Sequence, residues 1–343
     1  MFDAFGAAFE TLVRKILYLT ALSAVFMFAS FAQASAWDDY KARFVSSDGA
    51  VIDSGNSGMS HSEGQGYALM FALMYGDKTV FDKVLSWSEH NLQDPKTGLF
   101  YWAYRRDGGD PLADHNNATD GDLFIAWALM RAGAKWRDPA YTKKGERLAQ
   151  TISSLLVTNF GGFKVLLPGL NGFLYNDKVF LNPSYYIYPA LKDLGAFTYM
   201  KLWGELASDS KSLMNLNRNF TVPLSPDWIK LMPDGSIITA EQWPARSSYD
   251  AIRVPLYLYW GDPASPELKP WKDYFARFSP DNTPAWVNVV TGQSAEYAMT
   301  GGLRAVRDLV EGKFYKEPEI KNSDDYFNAS LKMLCYAAWC DTH

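Results

Sequence analysis

The chain has 343 residues, 33 of them basic and 38 acidic for a formal net charge of −5, and aromatic side chains make up 15% of it. That mild acidity excludes the basic stripe that a nucleic-acid partner demands. Four histidines and two cysteines, with no His-x-x-x-His pair, Cys-x-x-Cys pair or Gly-rich phosphate loop, give no basis for a metal site or a bound cofactor, and none is expected.

Residues 1–36 read as an export signal. Arg14 and Lys15 precede an apolar run from Ile16 to about Phe31, and Ala32-Gln33-Ala34 or Ala34-Ser35-Ala36 supplies small residues spaced for signal peptidase. Ser23, Ser30 and Gln33 dilute the run, which favours cleavage over an uncleaved anchor. The mature chain, starting at Ser35 or Trp37, is therefore expected to be periplasmic or secreted. Losing Asp3, Glu10, Arg14 and Lys15 leaves its formal charge unchanged.

Residues 37–343 contain no Pro/Ser/Gly linker, charge block or low-complexity tract, so a single domain is expected. Apolar spacing predicts helices over 63–75, 79–92, 121–133, 140–158, 190–207, 246–259, 294–310 and 324–338. Stretches rich in Gly, Pro, Asn and Asp, such as 105–118, 161–186 and 261–270, separate them. Strand-like alternation is short and local. Many helices joined by long loops predict an all-α toroid of paired helices. Cys335 and Cys340 are five residues apart, too far for a disulfide along a continuous helix, so pairing them would require the last helix to end between them.

Three of the predicted helices open alike. Ser60-His61-Ser62-Glu63-Gly64-Gln65-Gly66-Tyr67 runs from a polar, glycine-punctuated segment into helical spacing, which puts Glu63 where a loop becomes a helix. Ser60-x-x-Glu63 also fits a capping box, which would occupy both side chains locally. The second opening is Asn116-Asn117-Ala118-Thr119-Asp120-Gly121-Asp122, and the third is Arg246-Ser247-Ser248-Tyr249-Asp250-Ala251-Ile252-Arg253-Val254-Pro255. Acids at such positions are commonly caps favoured by the helix dipole. Three of them, each beside small residues, instead suit a toroid whose inner helices all begin at one carboxylate-lined face.

A helix N-terminus favours the ionised carboxylate. A protonated Glu63 would therefore need burial and the nearby charge of Asp120 to outweigh the dipole. Arg253, one turn after Asp250, is placed to hold Asp250 or Asp120 ionised. Aromatic runs in the loops, Tyr101-Trp102-Ala103-Tyr104 and Tyr185-Tyr186-Ile187-Tyr188, offer flat faces for sugar rings, with Trp102, Tyr185 and Tyr249 as candidates. Trp127 and Trp203 sit on apolar helix faces and are expected in the core.

Taken in order and at this separation, Ser-Glu-Gly-Gln-Gly-Tyr, Asn-Asn-Ala-Thr-Asp-Gly-Asp and Ser-Ser-Tyr-Asp-Ala-x-Arg-x-Pro resemble glycoside hydrolase family 8, in particular its periplasmic endo-β-1,4-glucanases encoded with bacterial cellulose synthases. The resemblance extends from about Lys41 to Ala338. It implies an (α/α)6 barrel and hydrolysis with inversion at the anomeric carbon. Glu63 falls at the position of the proton donor, Asp250 at that of the base that activates water, and Asp120 at that of the residue that binds and distorts the sugar. Tyr249, Arg253, Trp102, Tyr185 and Asn117 are the expected substrate-binding residues. A monomer is expected, and the resemblance further implies that it cuts β-1,4-glucan, with a functional link to a cellulose synthase complex. Xylan, mixed-linkage glucan or chitosan as substrate, or a non-catalytic polysaccharide-binding accessory, are the alternatives.

Overall fold

In the computed structural model, residues 34–106 and 109–343 are described; the export signal therefore lies almost wholly outside the described residues. Residues Ala36–His343 form one compact unit. Its helices are α1 Ala36–Phe44, α2 Ser62–Tyr75, α3 Lys78–Asn91, α4 Thr119–Trp136, α5 Pro139–Leu155, α6 Tyr188–Thr198, α7 Leu202–Asn215, α8 Arg253–Gly261, α9 Lys269–Phe275, α10 Gly301–Val310 and α11 Tyr326–Thr342. Among the described residues no helix is long and apolar enough to cross a membrane.

Helices α2, α4, α6, α8 and α11 each pack on the next, and α11 returns to α2, which closes a ring. Helices α3, α5 and α7 pack outside α2, α4 and α6, and α10 covers both α8 and α11. Composition explains which helices are inside. From Gly64 to Leu73, α2 is buried on every face, and α4 is buried continuously from Thr119 to Met130. Such all-round apolarity suits only an interior helix. The outer α5 buries one stripe, Tyr141, Gly145, Leu148, Ala149 and Ile152, and leaves its polar face to water. Trp127 and Trp203 are fully buried, as expected.

Three predicted helices break where the chain meets a local constraint, and one of them, 294–310, starts only at Gly301 because Ser294 and Ala298 pair as bridges with Val287 and Pro284. The 190–207 pattern is split because Tyr199 adopts a left-handed conformation (φ 56°) that ends α6, and Thr198 turns its hydroxyl back to the Leu194 carbonyl. The 246–259 pattern begins late: Arg246–Ser247 pairs with Val287–Asn288 as a short strand, and α8 starts only at Arg253. Helix α11 runs unbroken through both cysteines, Cys335 buried and Cys340 exposed, and both are free thiols.

Candidate active site

The three motifs lie at the openings of α2, α4 and α8, with Glu63 and Asp120 in first helical turns and Asp250 in the turn ahead of α8. At the opening of α2 the cap is His61, whose Nδ1 accepts from the Gly64 N–H at 3.0 Å. The Ser60-x-x-Glu63 capping box is not formed, and the Ser60 hydroxyl has no protein partner. Glu63 is thereby released from a local role. Its Oε1 accepts from the Tyr67 hydroxyl at 2.6 Å and from Arg253 Nη1, and its Oε2 lies 3.8 Å from His61 Nδ1.

Helix α4, by contrast, opens without a side-chain cap: its cap residue is Ala118, and the Thr119 hydroxyl donates to the Leu167 carbonyl. Asp120 accepts from its neighbour Gly121 N–H at 2.8 Å and is hydrogen-bonded to Glu63. Two glycines permit that approach. A Cβ on Gly121 would lie 2.7 Å from the Glu63 backbone nitrogen, and one on Gly66 would lie 2.5 Å from Phe124 Cβ. Either methyl would push α2 and α4 apart, so the motif glycines set the distance between the two carboxylates.

The third motif supplies Asp250 from the turn ahead of α8. Arg253 Nη2 donates to Asp250 Oδ1 at 2.9 Å and to Ser184 Oγ at 3.1 Å, while Asn182 Nδ2 donates to Asp250 Oδ2 at 3.1 Å. One guanidinium thus bridges Glu63 and Asp250. Exposure is graded across the acids: Asp120 is 4% exposed, the Glu63 side chain 18% and the Asp250 side chain 36%.

Burial sets the electrostatics, and neighbours then divide it. Burial raises the Glu63 carboxyl, but Arg253, His61 and the hydrogen bonds from Tyr67 and Asp120 outweigh it and hold the group below its usual range. Asp120 is pushed well above its range by burial and by the Glu63 charge. In the unliganded site the proton of this pair therefore sits on Asp120, whereas sequence reasoning needed it on Glu63. Asp250 is raised by burial, against the pull of Arg253.

The other expected contacts divide into two groups. Tyr185 stands among the acids, its hydroxyl raised far above its usual range by burial and then by Asp120, Asp250 and Glu63. Tyr249 is 43% exposed and hydrogen-bonds Tyr297 through its hydroxyl at 2.9 Å. Trp102 borders Glu63, its carbonyl accepting from Ser62 N–H at 3.2 Å, and its indole donates to Asp114 at 2.8 Å. Asn117 stands apart: its Nδ2 donates to Asp122 at 2.7 Å and its Oδ1 accepts from Leu170 N–H at 2.8 Å, so both ends of the amide are engaged by the protein. Tyr186 and Tyr188 are likewise buried on internal partners, Leu166 N–H and Ser210.

Tyr67, Tyr257, whose hydroxyl lies 3.1 Å from that of Tyr67, Asn182 and Ser184 are site residues that sequence reasoning missed. Tyr67 could have been found, being one turn after Glu63 on the same helix face. Asn182-Pro183-Ser184 carries an Asx-turn signal, and the Asn182 side chain does accept from Ser184 N–H at 3.0 Å.

Asp122 serves the scaffold, accepting from Phe100 N–H and from Asn117. Burial lifts its carboxyl to about 7, so the folded state binds a proton that the unfolded chain has already released above about pH 4. Its contribution to stability is full below that pH and is lost as pH rises to about 7. Thermal unfolding followed across pH 4 to 8 should show this decline, and Asp122→Asn should flatten it while costing about 1 kcal/mol for a forfeited hydrogen bond.

The model of glycosyl hydrolases family 8 matches residues 10–341. An endoglucanase of Cellulomonas uda is 42% identical over 301 residues, covering 88% of this chain and 84% of that protein. Among solved structures, endoglucanase Cel10 from Klebsiella pneumoniae superposes with a TM-score of 0.88 at 44% identity, covering 90% of this chain and 99% of that one. Endo-β-1,4-glucanase CMCax from Acetobacter xylinum superposes with a TM-score of 0.84 at 36% identity, covering 90% and 98% respectively.

Proposed function

Since the chain belongs to glycosyl hydrolase family 8, with the (α/α)6 barrel of that family, we propose that it cuts internal bonds of β-1,4-glucan with inversion, using Glu63 as acid and Asp250 as base. The observation that carries this reading is the Arg253 guanidinium bridging Glu63 and Asp250, with Asp120 against Glu63. Two carboxyl groups on separate elements, held apart by a bridging cation, suit a mechanism in which one protonates the leaving oxygen and the other activates water from the opposite ring face. Asp250, the most open of the three, is the one placed to meet that water.

Asp120 is the store of the proton. A sugar ring entering the site displaces water from Glu63, the more exposed of the pair, which disfavours its charged form, and the proton passes across to the acid that delivers it. Asp120, left ionised, is then free to bind a hydroxyl of the distorted sugar. Tyr249, Tyr185 and Trp102 supply ring faces and hydroxyls along the glucan.

The family resemblance supports a role in trimming glucan during bacterial cellulose synthesis, after export to the periplasm and leader cleavage. Release of reducing ends from carboxymethylcellulose, measured beside xylan, lichenan and chitosan, tests the substrate. Carboxymethylcellulose should be cut fastest and with a rapid fall in viscosity, and preference for xylan or chitosan would overturn the glucan assignment.

A further inference from the structure

Asp250 lies in a turn, and what fixes it comes from another part of the chain. Asp227 Oδ1 accepts from the backbone N–H groups of Ser248 at 2.9 Å and Ala251 at 2.8 Å, and its second oxygen accepts from the Ser248 hydroxyl. These bonds fasten the turn on both sides of Tyr249-Asp250. The next residue, Trp228, lies with its indole beside the Asp250 carboxylate, which it draws towards the ionised form. Its ring is held between Phe173, with centroids 5.7 Å apart and planes 8° from parallel, and Trp243, at 4.3 Å and 9°. An indole stacked on both faces has little rotational freedom, so its N–H direction is fixed by the stack.

We propose that Asp227 and Trp228 are positioning residues for the base: Asp227 clamps the turn that carries Asp250, while Trp228, fixed by its stack, lies against the Asp250 carboxylate and orients it. This rests on the reading of Asp250 as base. The groups facing Asp250 are Arg253 on α8, Glu63 on α2, Asp120 on α4, Asp227, and the neutral Asn182, Trp228 and Tyr185. Asp227 is itself raised to about 6, by burial and then by the Asp250 charge, which shows the two carboxyls sensing each other.

The two residues act on Asp250 differently. Asp227, raised to about 6, is still protonated where Asp250 gains its charge, so Asp227→Asn should leave the acid limb of the rate profile in place. Removing the Trp228 N–H removes a donor to the ionised form, so the limb should move to higher pH. Loss of packing alone would lower activity without separating the limbs.

The experiment is kcat/KM on carboxymethylcellulose against pH for the wild type, Asp227→Asn and Trp228→Phe, with Asp250→Asn as control. Each positioning variant should lower kcat by about ten- to a hundredfold, more than it changes KM, as expected for a displaced catalytic group. The acid limb should stay in place for Asp227→Asn and move up for Trp228→Phe, by about half a pH unit or more. Should Asp227→Asn fail to fold, Trp228→Phe decides alone, an upward limb supporting the proposal and an unmoved one overturning it. An unmoved limb for Trp228→Phe, limbs that move together, or an undiminished kcat for a folded Asp227→Asn, with Asp250→Asn inactive, overturn the proposal. An active Asp250→Asn overturns the assignment of the base, and the proposal falls with it.

Discussion

Glu63→Gln and Asp250→Asn should each lower turnover of carboxymethylcellulose about a thousandfold or more, since each removes a proton transfer of the kind that contributes roughly 10²–10⁴ to rate. Both changes keep size and shape, and both residues bond Arg253, so binding of cello-oligosaccharide by titration should persist and show that the site is intact. The two variants then separate on leaving group. An aryl cellooligosaccharide whose phenolate departs without a proton should restore much of the Glu63→Gln rate, whereas Asp250→Asn should stay slow on both substrates because water still lacks its base. Proton NMR in the first minutes should show the α product. Initial β product would overturn inversion even with both residues essential, and equal losses on both substrates for Glu63→Gln would remove it from the role of acid.

Much of this was legible in the sequence because the inner helices carry unusual strings. All-round apolar segments after Glu63 and Asp120 could only be interior helices, and the glycines beside those acids announced a close approach, which the α2–α4 contact now explains. What could not be read was the partner of each polar group. Ser60 and Glu63 match a capping box by spacing, but His61 reaches the Gly64 N–H first, and Arg253, 190 positions away along the chain, takes Glu63. Asn117 shared a motif with Asp120, yet its amide faces the scaffold. Helical spacing through 246–252 was likewise overridden, because Asp227 binds the Ser248 and Ala251 N–H groups and holds the segment as a turn. Local pattern records which residues are apolar and where turns are permitted. It does not record which distant side chain arrives to compete for a backbone group.

Asp120→Asn is expected to lower kcat about a hundredfold or more and to move the alkaline limb of the rate profile to lower pH, with little change in the unfolding midpoint. The direction follows from the pair. In the wild type burial and the Glu63 charge keep a proton on Asp120, and that proton is one hydrogen bond from the acid that must spend it. An asparagine offers Glu63 a permanent donor and no proton to pass on, so Glu63 stays ionised under the combined pull of Arg253, His61 and Tyr67. The acid form then accumulates only at lower pH, and the alkaline limb follows it down. A role limited to capping α4 predicts otherwise, since losing a cap costs about 0.5–2 kcal/mol of stability and leaves both limbs in place. Circular dichroism melts run beside the pH profile distinguish the two: an unmoved alkaline limb with undiminished kcat would return Asp120 to the scaffold, and a lowered limb at unchanged melting temperature would establish it as the proton's resting place.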